Sequence, residues 1–179
     1  MCGSGTIALE AQGIACNIAP GLLRNFWNVE RWLGFDSRVL QEVKEEAESS
    51  SIEPSSTIYA YDIDASAIEC VRYNARKQGV PCPEVKVQPL NRLTPPAESG
   101  VLVTNPPYGE RIGSHAHVAG VYQELGNQLE QFSGWQCFLL CPPNELYQQT
   151  GFGRTEDRVT LYNGPLKCRF LELDLQPED

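Results

Sequence analysis

Asn105-Pro106-Pro107-Tyr108-Gly109 follows directly on the apolar run Val101-Leu102-Val103-Thr104. A short, near-continuous apolar run is what a strand buried inside a parallel sheet looks like. Two prolines after it end the sheet and hold a stiff loop at the strand's carboxyl edge, which is where open α/β sheets bind their ligands. The residue types in this loop suit one kind of chemistry. An exocyclic amine on a planar base has its lone pair delocalised into the ring. It becomes nucleophilic when acceptors take its two protons and hold the nitrogen toward a methyl group. The side-chain oxygen of Asn105 and the carbonyl of Pro106 can be those acceptors, and Tyr108 can stack on a base flipped out of its helix. No strong base is needed, because positioning and electrostatics carry most of such a reaction.

Two further features could hold a co-substrate. Gly3-Ser4-Gly5 opens a helical segment. Glycines there let backbone approach a ligand, and the helix amino end offers free N–H groups. A P-loop is disfavoured, since no Gly-Lys-Ser/Thr follows. Asp62 stands at the end of a strand in Tyr61-Asp62-Ile63-Asp64, where a carboxylate can accept both hydroxyls of a ribose. Asp64 is better placed to cap the next helix, and Ile63 could lie on an adenine face.

The elements that must position these residues alternate. Thr6 to Ala19 reads as a helix with Ile7, Leu9, Ile14 and Ile18 as apolar positions, stopped by Pro20-Gly21. Leu22 to Phe35 is irregular and rich in aromatic residues. Asp36 and Ser37 can cap a helix to about Ser49, with Val39, Leu40 and Val43 on one side and a glutamate-rich solvated face. Strands are expected at Thr57–Tyr61, Glu84–Gln88, Val101–Thr104 and Trp135–Cys141, and helices at Ala65–Gln78 and Val118–Phe132. Glu156–Tyr162 and Leu166–Leu175 form a closing hairpin through Asn163-Gly164-Pro165. The order predicts a doubly wound, Rossmann-like α/β domain, mostly parallel, with an antiparallel hairpin at its end. A glycine turn in such a fold follows a first strand, yet here the glycines begin at residue 3. The sequence therefore reads as one domain, 1–179, entered just after its first strand: a piece of a longer protein, or a start at an internal methionine.

Composition narrows the class. An apolar fraction of 41% over 179 residues suits one soluble core. No apolar run reaches the length of a membrane span, and no signal peptide is expected. The seven cysteines form no Cys-x-x-Cys pair and fall in segments that read as core, so they are expected to be reduced thiols in a cytoplasmic protein, with no metal site. The net charge of -9 runs against nucleic acid as a partner, since a self-sufficient RNA binder has a basic face.

Taken together, Met1-Cys2-Gly3-Ser4-Gly5-Thr6, Ala19-Pro20-Gly21, Tyr61-Asp62-Ile63-Asp64, Asn74-Ala75, Asn105-Pro106-Pro107-Tyr108-Gly109-Glu110-Arg111, Gly134-Trp135 and Asn163-Gly164-Pro165-Leu166 resemble the class I methyltransferase domain of bacterial THUMP-containing 23S rRNA guanine-N2 methyltransferases. The resemblance runs over essentially the whole chain. It implies S-adenosylmethionine as cofactor, a guanosine of large-subunit rRNA as substrate, and an RNA-binding THUMP domain upstream, whose phosphate contacts would reconcile RNA with the acidic balance. It implies that Cys2, Gly3, Ser4, Gly5, Thr6, Asp62, Ile63 and Asn105 face the cofactor, that Asn105, Pro106 and Tyr108 carry the chemistry, and that Pro107, Tyr108 and Arg111 meet the substrate. The family has an Asp-Pro just before the position of Met1, which this chain lacks. Where the family often places an acidic residue near the adenine amine, this chain reads Gln88-Pro89-Leu90-Asn91, and Asn91 is the partial substitute. The same loop could serve an adenine-N6 or a protein glutamine methyltransferase, and a noncatalytic S-adenosylmethionine-binding or RNA-assembly module is the competing class.

Other residues admit two readings. Arg111 could hold a phosphate or pair with a carboxylate. His115 and His117 read as a solvated loop, and Cys141 as a buried thiol. Trp27 and Trp32 could cover the site or pack in the core, and Arg24 and Arg31 in the same region could touch RNA.

Overall fold

The computed structural model describes residues 1–24, 26–108, 115–142 and 146–175. The chain divides into two compact units, one formed by Cys2–Val87 and the other by Met1 with Gln88–Asp179.

In the first unit, helices α1 (Thr6–Ala15), α2 (Ser37–Ser49) and α3 (Ala65–Gln78) accompany strands β1 (Tyr59–Asp62) and β2 (Glu84–Val87). The strands pair in parallel, Tyr59 opposite Glu84 through Asp62 opposite Val87. Helix α3 matches its expected bounds because both ends are capped. The Asp64 carboxylate accepts the Ser66 N–H at 2.8 Å, and Gly79 closes the other end at φ 66°. Ile68, Val71 and Ala75 form its buried stripe. Helix α1 stops four residues short of expectation. Asn17 adopts φ 52° and Ile18 bonds back to the Gly13 carbonyl, so the apolar spacing of Ile14 and Ile18 misled: Ile14 is 80% exposed. Asp36 caps α2 as expected, but that helix has no buried residue, so Val39 and Val43 are not core positions. The aromatic stretch before α2 is two 3-10 turns, Pro20–Leu23 and Asn28–Arg31.

In the second unit, β3 (Gly100–Thr104), α4 (His115–Leu129), β4 (Trp135–Cys141), β5 (Gly153–Asn163) and β6 (Leu166–Asp174) build a sheet of order β3-β4-β6-β5. The β3–β4 pair is parallel, and β6 runs antiparallel to both β4 and β5. The expected hairpin is present, turning at Gly164 with φ 61°. The core joins Tyr122, Leu125 and Leu129 of α4 to Leu139 and Cys141 of β4 and Leu171 of β6. Gly100 lies opposite Trp135, and a Cβ there would sit 2.7 Å from the Trp135 ring. His115 and His117 open α4 rather than lying in a loop. The thiols of Cys16, Cys137, Cys141 and Cys168 are buried, but Cys70 and Cys82 are exposed, which corrects their assignment to core.

The fold class is α/β with parallel pairs and an antiparallel end, as the alternation of elements requires. Among the described residues β1 pairs with β2 and β3 with β4, and each has one edge without a partner strand.

Candidate active site

The carboxyl end of β1 and the amino end of α1 meet in the first unit. The Cys2 N–H donates to the Tyr61 carbonyl at 2.9 Å, and the Gly5 N–H closes the turn onto the Cys2 carbonyl at 3.0 Å. Asp62, almost fully buried, accepts the Gly3 N–H at 2.9 Å on Oδ2 and the Asp64 N–H at 3.0 Å on Oδ1. Burial opposes its ionisation, and the N–H groups of Asp64 and Gly3 are among the groups that offset this and hold the carboxyl below its ordinary value.

The two glycines differ in what they do. Gly3, at φ 56°, has open space where a side chain would be. Gly5, at φ 86°, is buried, and a Cβ there would lie 2.8 Å from a Val71 methyl. Gly5 therefore serves the packing of α1 on α3, and Gly3 is the position with room for a ligand. Ser4 and Thr6 are exposed. Cys2 is half-buried, and burial pushes its thiol up, so it stays protonated and is no nucleophile. Ile63 is 71% exposed. Asn74 donates from α3 to the Ser4 carbonyl at 3.1 Å. Sequence reasoning gave Asn74 no role of its own, because the residue it holds is 70 positions away.

In the second unit, Asn105 follows the last residue of β3. Its Oδ1 is shielded from solvent and has no hydrogen-bond partner among the described residues. Leaving a buried acceptor unpaired costs about 1–3 kcal/mol, and most buried polar groups are satisfied. Pro106 is fully buried, which fixes the loop, and Pro107 and Tyr108 are half-buried. The Cys168 thiol of β6 donates to the Tyr108 hydroxyl at 3.7 Å. Tyr122 is completely buried, and burial, with the neighbouring Cys141, Tyr108 and Cys168, raises its phenol well above the ordinary value; it remains neutral. The Cys137 thiol is pushed up to about 12 by burial, so it too stays protonated. Asn91 is exposed in the 3-10 turn Leu90–Arg92, which Gln88 closes by donating to the Arg92 carbonyl. Gly109, Glu110 and Arg111 lie outside the described residues.

The structure thus brings Cys2, Gly3, Ser4, Gly5, Thr6, Asp62 and Ile63 together in one unit, and Asn105, Pro106, Pro107 and Tyr108 in the other. A cleft of about 410 Å³ is lined by Gln123, Asn127, Glu130 and residues 149–152; none of the expected site residues lines it. It is a polar crease formed where α4 closes on Thr150, and the paired polar groups above are the better guide to chemistry. Among the described residues, no group of three His, Cys, Asp or Glu side chains is placed to hold a metal ion, and no helix is long and apolar enough to cross a membrane.

Residues 1–172 match the family described as RMKL-like, methyltransferase domain. The chain belongs to this methyltransferase domain family. It is 38% identical over 175 residues to the ribosomal RNA large subunit methyltransferase K/L of Shewanella baltica strain OS185, covering 94% of this chain and 24% of that protein. To the namesake from Legionella pneumophila strain Corby it is 36% identical over 176 residues, 97% of this chain and 25% of the relative. The chain therefore spans about a quarter of the length of these relatives. Among solved structures it is similar to SMU.472, a methyltransferase complexed with SAH, at TM-score 0.89 and 32% identity over all of this chain and 48% of the other. A possible methylase from Clostridium difficile 630 superposes at TM-score 0.86 and 35% identity, over 97% and 46%. A predicted N6-adenine-specific DNA methylase from Listeria monocytogenes gives 0.80 and 29%, over 95% and 44%. The architecture is that of the class I methyltransferases.

Proposed function

We propose that this domain transfers a methyl group from S-adenosylmethionine to an exocyclic amine of an RNA base, guanine N2 of 23S rRNA, in the cytoplasm. The buried Oδ1 of Asn105 at the end of β3, without a hydrogen-bond partner among the described residues, carries the reading. An acceptor kept dry and unsatisfied is what the first proton of a base amine requires, and the Pro106 carbonyl accepts the second. Both would orient the amine nitrogen, and neither needs to ionise. Tyr108 offers its ring to the flipped base and is steadied through its hydroxyl by Cys168. Pro107 and Arg111 complete the contact with substrate.

The residues of the first unit fit the cofactor. Gly3 leaves room above the turn, Cys2, Ser4, Gly5 and Thr6 form the turn and the amino end of α1 beside it, Asp62 offers its carboxylate to ribose hydroxyls, and Ile63 is exposed for an adenine face. Asn91, exposed in the second unit, is a further proposed cofactor residue. When bound, S-adenosylmethionine supplies the electrophilic methyl group. We further propose that the free edge of β3 takes a parallel strand from a segment ahead of Met1, and that a THUMP domain beyond it supplies most of the affinity for RNA.

The experiment is Asn105→Ala, read by single-turnover methyl transfer and by calorimetry with S-adenosylmethionine. Transfer should fall about 100- to 1000-fold, the loss of one preorganised contact, with cofactor affinity close to that of the parent. Near-parental transfer would overturn the proposal. A second reading, adenine N6, draws on the Listeria relative, and analysis of the methylated nucleoside separates the two.

A further inference from the structure

The stretch between α1 and α2 carries a surface that the transfer chemistry does not use. Trp27 packs its ring against Gly21, where a Cβ would come within 2.4 Å of it. The Arg24 guanidinium lies 5.9 Å and the Lys44 ammonium 5.8 Å from the Trp27 ring centroid. Arg31 lies 5.0 Å from the centre of Phe26. All are within the cation–π range. None of these three cations has a carboxylate partner among the described residues, whereas Arg38 is held by Asp36 and Arg72 by Glu69. Trp32, next to Arg31 in sequence, is 69% exposed and Phe26 47%, and the Trp32 ring makes no aromatic or cationic contact among the described residues. The segment 20–35 holds two arginines against one glutamate, in a chain whose net charge is -9.

We propose that this surface binds a short stretch of unpaired RNA, with Trp32 as the stacking platform and Arg24, Arg31 and Lys44 as the phosphate contacts. The proposal extends the RNA-methyltransferase reading and rests on it for the kind of nucleic acid. Every base has a face that stacks on an aromatic ring, so an exposed tryptophan in the same segment as cations without carboxylate partners among the described residues fits single strands without requiring a sequence. An acidic peptide would use the charges but not the exposed ring plane. The four glutamates of α2 repel a longer polyanion, so the footprint is a few nucleotides.

The test uses the 179-residue chain, a fluorescein-labelled oligouridylate and anisotropy at low salt, with S-adenosylmethionine calorimetry on every variant as a check of fold. Trp32→Ala should weaken binding roughly tenfold, and Trp32→Phe should recover most of it. The triple variant Arg24→Gln, Arg31→Gln, Lys44→Gln should reduce the slope of log affinity against log salt by about 2, three phosphates at about 0.7 each. Unchanged affinity in both variants overturns the proposal. So does equal loss of RNA and polyglutamate binding in the triple variant with no effect of Trp32→Ala, which would mark a general anion surface. A shift in sedimentation with RNA binding unaltered would mark contact with a second copy and overturn it as well. Binding is read without methyl transfer. Patch-dependent RNA binding in a protein that transfers no methyl group would sink the reaction and leave the surface standing.

Discussion

At the residue scale the two polar ends behave as different kinds of group. Asp62 already accepts from Gly3 and Asp64, so Asp62→Asn disturbs the turn as well as a ribose contact. S-adenosylmethionine affinity should fall by about 1.5–3 kcal/mol, the cost of losing charge-assisted bonds, measured by calorimetry. The pH dependence follows from its lowered pKa. A carboxyl whose folded value lies below its ordinary 3.8 contributes stability above 3.8, lost as the pH falls through the folded value. The stability gap between parent and Asp62→Asn should therefore stay constant from about pH 7 to about pH 5 and narrow only in stronger acid. Urea melts at both pH values test this, and a gap that closes by pH 5 would contradict it. Tyr108→Phe should retain most transfer if the ring is what matters, although it gives up the Cys168 contact; Tyr108→Ala should lose stacking worth about 1–3 kcal/mol. The cap at Asp64 was legible in the sequence because the N–H it accepts lies only two residues on, at Ser66. Asn74 and Cys168 were not, because the Ser4 carbonyl and the Tyr108 hydroxyl reach them only through the fold.

At the scale of elements, local signals succeeded where both ends of a helix are punctuated and failed where apolar spacing stood alone. Asp64 and Gly79 bracket α3, while α1 carries apolar residues past its true end and Asn17 breaks it. The stretch 20–35 gave no periodic signal, and its structure rests on Trp27 against Gly21, a contact that composition cannot reveal. Helix α4 offers a paired test of packing. Gly120 is exposed with open space where a Cβ would go, but at Gly126 that atom would lie 1.9 Å from the Thr150 carbonyl oxygen. Alanine is favoured over glycine in a helix by about 1 kcal/mol, so Gly120→Ala should raise stability by about 0.5–1 kcal/mol. At Gly126 the clash is with backbone, which cannot rotate away, and overpacking of about 1–3 kcal/mol or more exceeds the gain. Denaturant melts of the two variants should move in opposite directions, and a stabilised Gly126→Ala would mean that α4 does not close on residue 150 as described.

At the scale of the whole molecule, the sequence placed the chain in an α/β class through its alternation of strands and helices, and predicted a gap where a first strand belongs. Among the described residues β1 and β3 each have one unpaired edge, and unpaired strand edges are ordinarily covered or charged. A protein extended ahead of Met1 by one strand should melt at a higher temperature than the 179-residue chain, and equal midpoints would contradict the proposed pairing. For the substrate the sequence offered only a class as an expectation: the loop at Asn105 suits a planar amine, and the acidic net charge runs against nucleic acid. The most direct measurement is therefore of the product. Unmethylated large-subunit rRNA is incubated with the protein and S-adenosylmethionine labelled in its methyl group, digested to nucleosides, and separated by chromatography with mass detection. The account predicts label in N2-methylguanosine, absent with Asn105→Ala; label on a ring carbon, on a ribose oxygen or on protein alone would contradict it.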